Sequence, residues 1–134
     1  PIYLTTTSLQ NPQNRQNHNA QRADQFIMEE EPLFVSQYIS NASRPVLVEC
    51  ITMWISNMIY HSYDEATILE EVDKILALDK DIVFVQNDIG SSPLSDNELL
   101  RNLVDINGEV SMKLGASCDE VYHCIAGISN KIKG

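Results

Sequence analysis

Short runs of apolar and mostly β-branched residues recur along the chain, separated by longer and more polar stretches. Runs of this kind are typical of strands that are buried on both faces of a sheet. They predict strands at residues 2–6, 46–48, 82–85 and 121–126.

The stretches between these runs have the three-and-four spacing of apolar residues that marks amphipathic helices. The clearest helix is predicted over residues 96–117, with Ser95 and Glu98 as a capping box at its start. Ser62 and Glu65 repeat that device before a second helix. Two more helices are predicted, one from Pro32 onward and one over residues 53–60.

Strands that alternate with helices predict an α/β fold, with a parallel sheet covered by helices on both faces. Residues 10–25 differ from the rest, because they are rich in Asn and Gln, and we interpret them as an exposed loop or a polar helix. The chain of 134 residues is long enough for one hydrophobic core, so residues 1–134 are expected to form a single domain.

The net charge and the cysteines indicate which binding partners and which cellular compartment the sequence favours. The formal net charge of -10 makes nucleic acid an unfavourable partner, although local donors around a metal ion can still hold a nucleotide. Three cysteines without disulfide or zinc spacing favour a reducing cytoplasm. No apolar run is long enough to span a membrane, and no signal peptide is recognisable.

Polar residues follow two of the predicted strands, where open α/β sheets bind their ligands. Glu49 ends one strand, and Asn87 and Asp88 follow the next. An acid in this position can orient Mg²⁺ directly or through water. The alternative is a solvated acid at a strand terminus.

His18 lies in the polar segment with Arg15 and Arg22 on either side. If the segment is helical, His18 and Arg22 share one face, which would place a guanidinium beside a nucleophilic imidazole. Covalent catalysis at phosphorus needs such a pair. The alternative is an ordinary surface histidine.

Other polar side chains are interpreted as structural. His61 follows an apolar helix and His123 lies within a strand, and Cys118 and Cys124 do not complete a zinc site with it. The segment with Glu70, Glu71 and Lys74 is expected to be a solvated helix face. The helix predicted over residues 53–60 carries more large apolar residues than one buried face needs, namely Met53, Trp54, Met58 and Tyr60. These residues could line a core, a subunit contact or a ligand surface.

Several collinear segments resemble the bifunctional adenosylcobinamide kinase/adenosylcobinamide-phosphate guanylyltransferase family of cobalamin biosynthesis. The most specific segments are residues 46–57, 85–90, 119–122, 126–128 and 131–133, and residues 97–108 follow the family pattern without a gap. The resemblance covers nearly the whole chain, which makes an unrelated α/β domain with chance similarity the weakest alternative.

The resemblance implies a P-loop NTPase-like (RecA-like) parallel sheet with flanking helices, and two reactions. One phosphorylates adenosylcobinamide from ATP or GTP with Mg²⁺, and the other transfers GMP from GTP to adenosylcobinamide phosphate through a guanylylated histidine. It also implies a homotrimer.

The site residues that the resemblance implies fall in two segments, residues 6–8 and 18–22, and at two separate acids. His18 corresponds to the guanylylated histidine and Arg22 to an arginine four residues on. The other nucleotide-binding residues carried over are Thr6, Thr7, Ser8, Asn19, Ala20, Gln21, Glu30 and Glu49, and Glu49 is also the candidate for a Mg²⁺-bound water.

This sequence departs from the family pattern in four places. The first strand and its Gly-rich Walker A loop have no counterpart, which predicts that the chain as given is inactive and that about 25 to 35 further residues lie upstream of Pro1. The alternative is a natural paralogue without the phosphate loop that binds corrinoids or regulates. Ser92 and Ser95 replace a usual Gly and Pro, Ser111 and Met112 replace Asn-Gln, and Arg15 lies one residue too close to the histidine.

Overall fold

The computed structural model of the protein describes residues 1–6, 25–89 and 97–134. The strands are β1 (Ile2–Thr5), β2 (Ile27–Glu30), β3 (Val46–Glu49), β4 (Ile82–Val85), β5 (Val121–Ile125) and β6 (Ile128–Lys133). The helices are α1 (Val35–Asn41), α2 (Ile51–Tyr60), α3 (Glu65–Leu76) and α4 (Glu98–Ser117).

Four strands form a parallel sheet in the order β2-β1-β3-β4. The predicted strands at residues 2–6, 46–48 and 82–85 are confirmed to within one residue at each end. Their apolar character follows from their place in the sheet, since Leu4 and Val48 are fully buried in its two central strands. The α/β fold with flanking helices is therefore confirmed.

The strand β2 has no counterpart among the predictions. Its sequence, Ile27-Met28-Glu29-Glu30, carries only two apolar residues, and Ile27 is exposed on this edge strand. An edge strand covered on one side only does not need the continuous apolar run that buried parallel strands show. The pattern that revealed the central strands therefore could not reveal this one.

The strand predicted over residues 121–126 exists, but its place as a buried strand of the parallel sheet was wrong. It ends at Ile125 and forms an antiparallel hairpin with β6, separate from the four-stranded sheet. Ala126 and Gly127 both have positive φ, of 53° and 74°, as the central residues of a two-residue hairpin turn require. Tyr122 and Ile125 are exposed in this hairpin.

The predicted caps of two helices were wrong. The helix α3 begins at Glu65, and the Asp64 carboxylate, not the Ser62 hydroxyl, accepts a hydrogen bond at 2.9 Å from the amide of Thr67. Ser62 has a φ of 67°, which places it in the turn before the helix. A carboxylate near the cap position also interacts favourably with the positive end of the helix dipole.

The long helix over residues 96–117 is confirmed as α4, with Asn97 as its cap. The Asn97 side-chain oxygen accepts hydrogen bonds from the amides of Leu99 and Leu100, at 2.9 and 3.3 Å. The predicted cap, Ser95, lies outside the described residues. Leu99 is 68% exposed, so it does not belong to the buried face that Ile106, Val110 and Leu114 form.

The helix predicted from Pro32 begins three residues later, at Val35. The Glu31 carboxylate accepts hydrogen bonds from the amides of Leu33 and Phe34, at 3.1 and 3.0 Å, and so holds this segment as a turn. The helix predicted over residues 53–60 begins two residues earlier, at Ile51.

The core lies where the helices pack on the sheet. Trp54 is completely buried, and its indole N–H donates a hydrogen bond at 2.9 Å to the backbone carbonyl of Leu33. The helix α3 adds Ile68, Val72 and Ile75 to the same core. Within the described residues, no helix is both long enough and apolar enough to cross a membrane.

Candidate functional site

The carboxyl ends of the parallel strands bring two acids to one edge of the sheet. Thr5, the last residue of β1, pairs in register with Glu30 at the end of β2 and with Glu49 at the end of β3. Residues paired in register project from the same face, and adjacent strands are about 4.8 Å apart, so the two acids flank Thr5 roughly 10 Å from each other. Residues 5, 30 and 49 thus lie side by side at this edge, where open α/β sheets bind ligands.

Glu49 lies in a partly buried environment at this edge. The Tyr3 hydroxyl donates a hydrogen bond to its carboxylate. Burial raises the pKa of Glu49 above its ordinary value, because the charged form loses solvation. A carboxyl group in this state keeps its proton to a higher pH than a fully solvated acid does.

Thr6 joins the ends of β1 and β3. Its fully buried hydroxyl donates to the backbone carbonyl of Cys50 at 2.7 Å and accepts from the Cys50 amide at 3.0 Å. The Thr6 amide donates to the Glu49 carbonyl at 2.9 Å. These bonds fix the chain on both sides of Glu49, so the acid has a defined position.

Cys50 caps the helix that follows β3. Its Sγ accepts a hydrogen bond at 3.2 Å from the amide of Met53, which satisfies one of the free donors at the start of α2. Burial raises the pKa of this thiol. Cys50 is thus a thiol in a structural position at neutral pH.

The helix α2 holds two loops of this edge through a buried amide. Asn57, which is 8% exposed, donates from Nδ2 to the carbonyl of Thr6 at 2.7 Å and to the carbonyl of Pro32 at 3.2 Å. These two carbonyls belong to the segments that follow β1 and β2. Asn57 was not among the candidate residues, although a polar residue on a mostly apolar helix was a usable signal.

A second polar cluster, built on the buried Thr52 and Asn107, holds the segment that follows β4. It consists of Thr52, Gln86, Asn87 and Asn107, which come from α2, from that segment and from α4. Asn87 lies with its side-chain nitrogen 4.0 Å from Cys50 Sγ, beside the end of β3. Glu49 is the last residue of β3, as predicted, and Asn87 and Asp88 lie shortly beyond the end of β4, the strand that pairs with β3.

The side chains at this edge can supply only some of the ligands that a Mg²⁺ ion needs. Within the described residues, no group of three or more His, Cys, Asp or Glu side chains is arranged to hold a metal ion. Mg²⁺ is commonly held by one or two carboxylates together with waters and substrate phosphates. Glu49 can supply one such carboxylate, or bind a water of the ion.

The other predicted site residues lie in residues 7–24, outside the described residues. They are Thr7, Ser8, His18, Asn19, Ala20, Gln21 and Arg22, together with the flanking Arg15. Of the residues carried over by resemblance, Thr6, Glu30 and Glu49 are described, and all three lie at the carboxyl edge.

The structure changes three interpretations of polar and apolar side chains. Glu71 is more than part of a solvated face, because its Oε1 accepts a hydrogen bond at 3.1 Å from the Ser36 amide in the first turn of α1. His123 is partly exposed, with Nε2 3.5 Å from the Asp88 carboxylate. Of the apolar residues in α2, Trp54 and Met58 are core residues, whereas Met53 and Tyr60 are 40% and 71% exposed.

An open parallel sheet with flanking helices, and with acids and amides gathered at its carboxyl edge, defines an α/β protein of the class that binds its ligand at that edge. A family described as "Cobinamide kinase / cobinamide phosphate guanyltransferase" matches residues 2–132. The chain belongs to this family.

Three curated relatives are similar to the chain. The bifunctional adenosylcobalamin biosynthesis protein CobU of Salmonella typhimurium is 30% identical over 104 residues, which are 66% of this chain and 58% of that protein. The CobU protein of Escherichia coli is 28% identical over 109 residues, which are 69% of this chain and 60% of that protein. CobP of Pseudomonas aeruginosa is 28% identical over 124 residues, 87% of this chain and 71% of that protein. The chain thus spans less than two thirds of the first two relatives.

Proposed function

We propose that the full-length protein phosphorylates adenosylcobinamide and then transfers GMP from GTP to the resulting phosphate, giving adenosylcobinamide-GDP in cobalamin biosynthesis. The family match supports this activity class. The observation that carries the proposal is the register that places Glu30 and Glu49 on either side of Thr5, at the edge where this fold class binds ligands.

In the first reaction, the terminal hydroxyl of the corrinoid's aminopropanol arm attacks the γ-phosphorus of ATP or GTP, its proton passes to water, and the nucleoside diphosphate leaves. Glu49 is proposed to accept a hydrogen bond from a water at the phosphates, a role that its partly buried carboxylate suits. Mg²⁺, when bound, supplies positive charge to the phosphate oxygens as the bond to the leaving diphosphate breaks.

In the second reaction, an imidazole nitrogen of His18 attacks the α-phosphorus of GTP and pyrophosphate leaves. The phosphate of adenosylcobinamide phosphate then attacks the same phosphorus and releases the histidine. Arg22 is proposed to stabilise the charge that develops on the phosphate oxygens. Thr6, Thr7, Ser8, Asn19, Ala20, Gln21 and Glu30 are proposed to contact the nucleotide.

A Gly-rich phosphate-binding loop, which the family resemblance implies, is part of the proposal. Its backbone amides are proposed to hold the phosphates of the nucleotide.

The cellular setting and assembly belong to the same proposal. A cytoplasmic enzyme agrees with the three free cysteines, none of which forms a disulfide. A homotrimer is proposed from the resemblance alone. Light scattering on the full-length protein would measure the number of subunits directly.

Two measurements on the full-length protein test the proposed function. Incubation with adenosylcobinamide, GTP and Mg²⁺ should yield adenosylcobinamide phosphate and then adenosylcobinamide-GDP, identified by mass spectrometry. Calorimetry should show GTP·Mg²⁺ binding. A protein that binds cobinamide but neither binds GTP nor forms either product would instead be the non-catalytic corrinoid-binding paralogue.

A further inference from the structure

We propose that Thr52 and Asn107 are positioning residues that fix residues 86–89 against the carboxyl edge of the sheet, and so set where Asn87 and Asp88 stand in the site. Neither residue touches the proposed substrates. The inference rests on the proposed function in one respect, because it assigns the fixed segment a part in the reaction.

The hydrogen bonds of Asn107 use both ends of its side-chain amide. Its Nδ2 donates to the backbone carbonyl of Asn87 at 3.0 Å. Its Oδ1 accepts from the Thr52 hydroxyl at 2.9 Å and from Gln86 Nε2 at 2.9 Å. Gln86 Nε2 is also 2.9 Å from the backbone carbonyl of Asn107 in α4.

Thr52 completes the arrangement from the first turn of α2. Its Oγ1 accepts a hydrogen bond at 3.0 Å from the Asn87 amide and donates to Asn107 Oδ1 at 2.9 Å. Both backbone polar groups of Asn87 are therefore held by side chains of two different helices. Beyond the end of β4, these side chains replace the strand ladder as the constraint on the chain.

Burial makes the cluster rigid and sensitive to change. Asn107 is 4% exposed and Thr52 is 7% exposed. A buried amide or hydroxyl that loses its partner pays the full cost of desolvation, so the cluster strongly favours this one arrangement. A change in either side chain should therefore release the Asn87 backbone without changing the residues that face the ligand.

The fixed segment lies in the proposed site. Asn87 Nδ2 is 4.0 Å from Cys50 Sγ, next to Glu49, and Asp88 follows it. Because reactions at phosphorus depend steeply on the position of the groups around the phosphates, a shift of about 1 Å can cost up to a hundredfold in rate. The cluster couples α2 and α4 to that position.

The test compares isosteric variants of the full-length protein. Thr52→Val keeps the shape of the side chain and removes the hydroxyl, Thr52→Ser restores the hydroxyl, and Asn107→Asp removes the Nδ2 donor. Asn102→Asp, the same change at an exposed position of α4, is the matched control. Thermal unfolding, followed by circular dichroism, identifies any variant that fails to fold. Among the variants that fold, the result for Thr52→Val decides whether the inference stands.

Two readouts separate positioning from general destabilisation. Thr52→Val should raise amide hydrogen exchange about tenfold in residues 86–89, with β1 and β3 unchanged. It should lower kcat for product formation by about tenfold to a hundredfold while the KM for GTP stays within about threefold. Thr52→Ser and Asn102→Asp should behave like the wild type.

The inference is overturned if Thr52→Val keeps wild-type kcat, or loses kcat without faster exchange in residues 86–89. A wild-type protein that forms neither product contradicts the proposed function instead. In that case exchange alone judges the positioning role, and unchanged exchange in Thr52→Val overturns it.

Discussion

At the scale of single residues, Glu49 combines a fixed position with an unfavourable environment for its charge. The hydrogen bonds of Thr6 to Glu49 and Cys50 fix the backbone, and burial raises the carboxyl pKa. Residues at functional sites often carry such a cost, because a shifted pKa serves chemistry and not folding. Glu49 is therefore expected to reduce stability at neutral pH.

The pH dependence of unfolding tests this expectation. Since the pKa of Glu49 is raised in the folded state, the fold holds its proton more tightly than the unfolded chain does, and stability is lost as pH rises through the folded-state pKa. Glu49→Gln has no such loss. The free energy of unfolding of Glu49→Gln, relative to the wild type, should thus increase as pH rises above about 4, measured by the fluorescence of Trp54 in urea.

Glu109→Gln, an exposed change in α4, controls for the removal of one negative charge. A wild-type protein that gains stability over Glu49→Gln as pH rises would show that the fold stabilises the ionised carboxylate. That result would contradict the environment described for Glu49.

The sequence predicted the acid at the end of β3 because strand ends can be read from apolar runs. It did not predict Asn57 or Asn107, since the sequence does not show the distant partners that satisfy a buried amide. Those partners lie 51 and 20 residues away in the chain, at the Thr6 and Asn87 carbonyls. Polar residues at core positions of α2 and α4 were the available signal.

At the scale of elements, the apolar patterns located three strands of the sheet to within one residue and found the helices, but they did not locate the helix starts. Helix starts depend on which of several neighbouring polar side chains reaches the free amides, and Ser95, Asp96 and Asn97 are all capable of it by residue type. The structure selects Asn97. The edge strand β2 and the hairpin strand β6 escaped prediction because their burial is one-sided or slight.

The cap of α4 gives a prediction at this scale. Asn97→Ala should lower the free energy of unfolding by about 1 kcal/mol, because the amides of Leu99 and Leu100 lose their acceptor. Ser95→Ala should have a smaller effect, and Asn97→Asp should retain most of the stability. Urea unfolding measures all three, and a larger loss in Ser95→Ala than in Asn97→Ala would contradict the observed cap.

At the scale of the whole molecule, the fold gathers the site from parts of the sequence that are far apart. Thr5, Glu30 and Glu49 meet across three strands, and α2 and α4 fix the segment after β4. The formal charge of -10 adds a requirement, because an acidic protein needs local cations to hold a triphosphate. Arg22, and Mg²⁺ when bound, are the proposed sources of that charge.

The central claim is that His18 carries the GMP during transfer, and intact-protein and peptide mass spectrometry test it most directly. The full-length protein incubated with GTP and Mg²⁺ should gain one GMP on the peptide that contains His18. His18→Ala should gain none, while it still phosphorylates adenosylcobinamide from ATP or GTP. A GMP adduct that persists in His18→Ala, or a wild-type protein that forms product without an adduct at His18, would contradict the account.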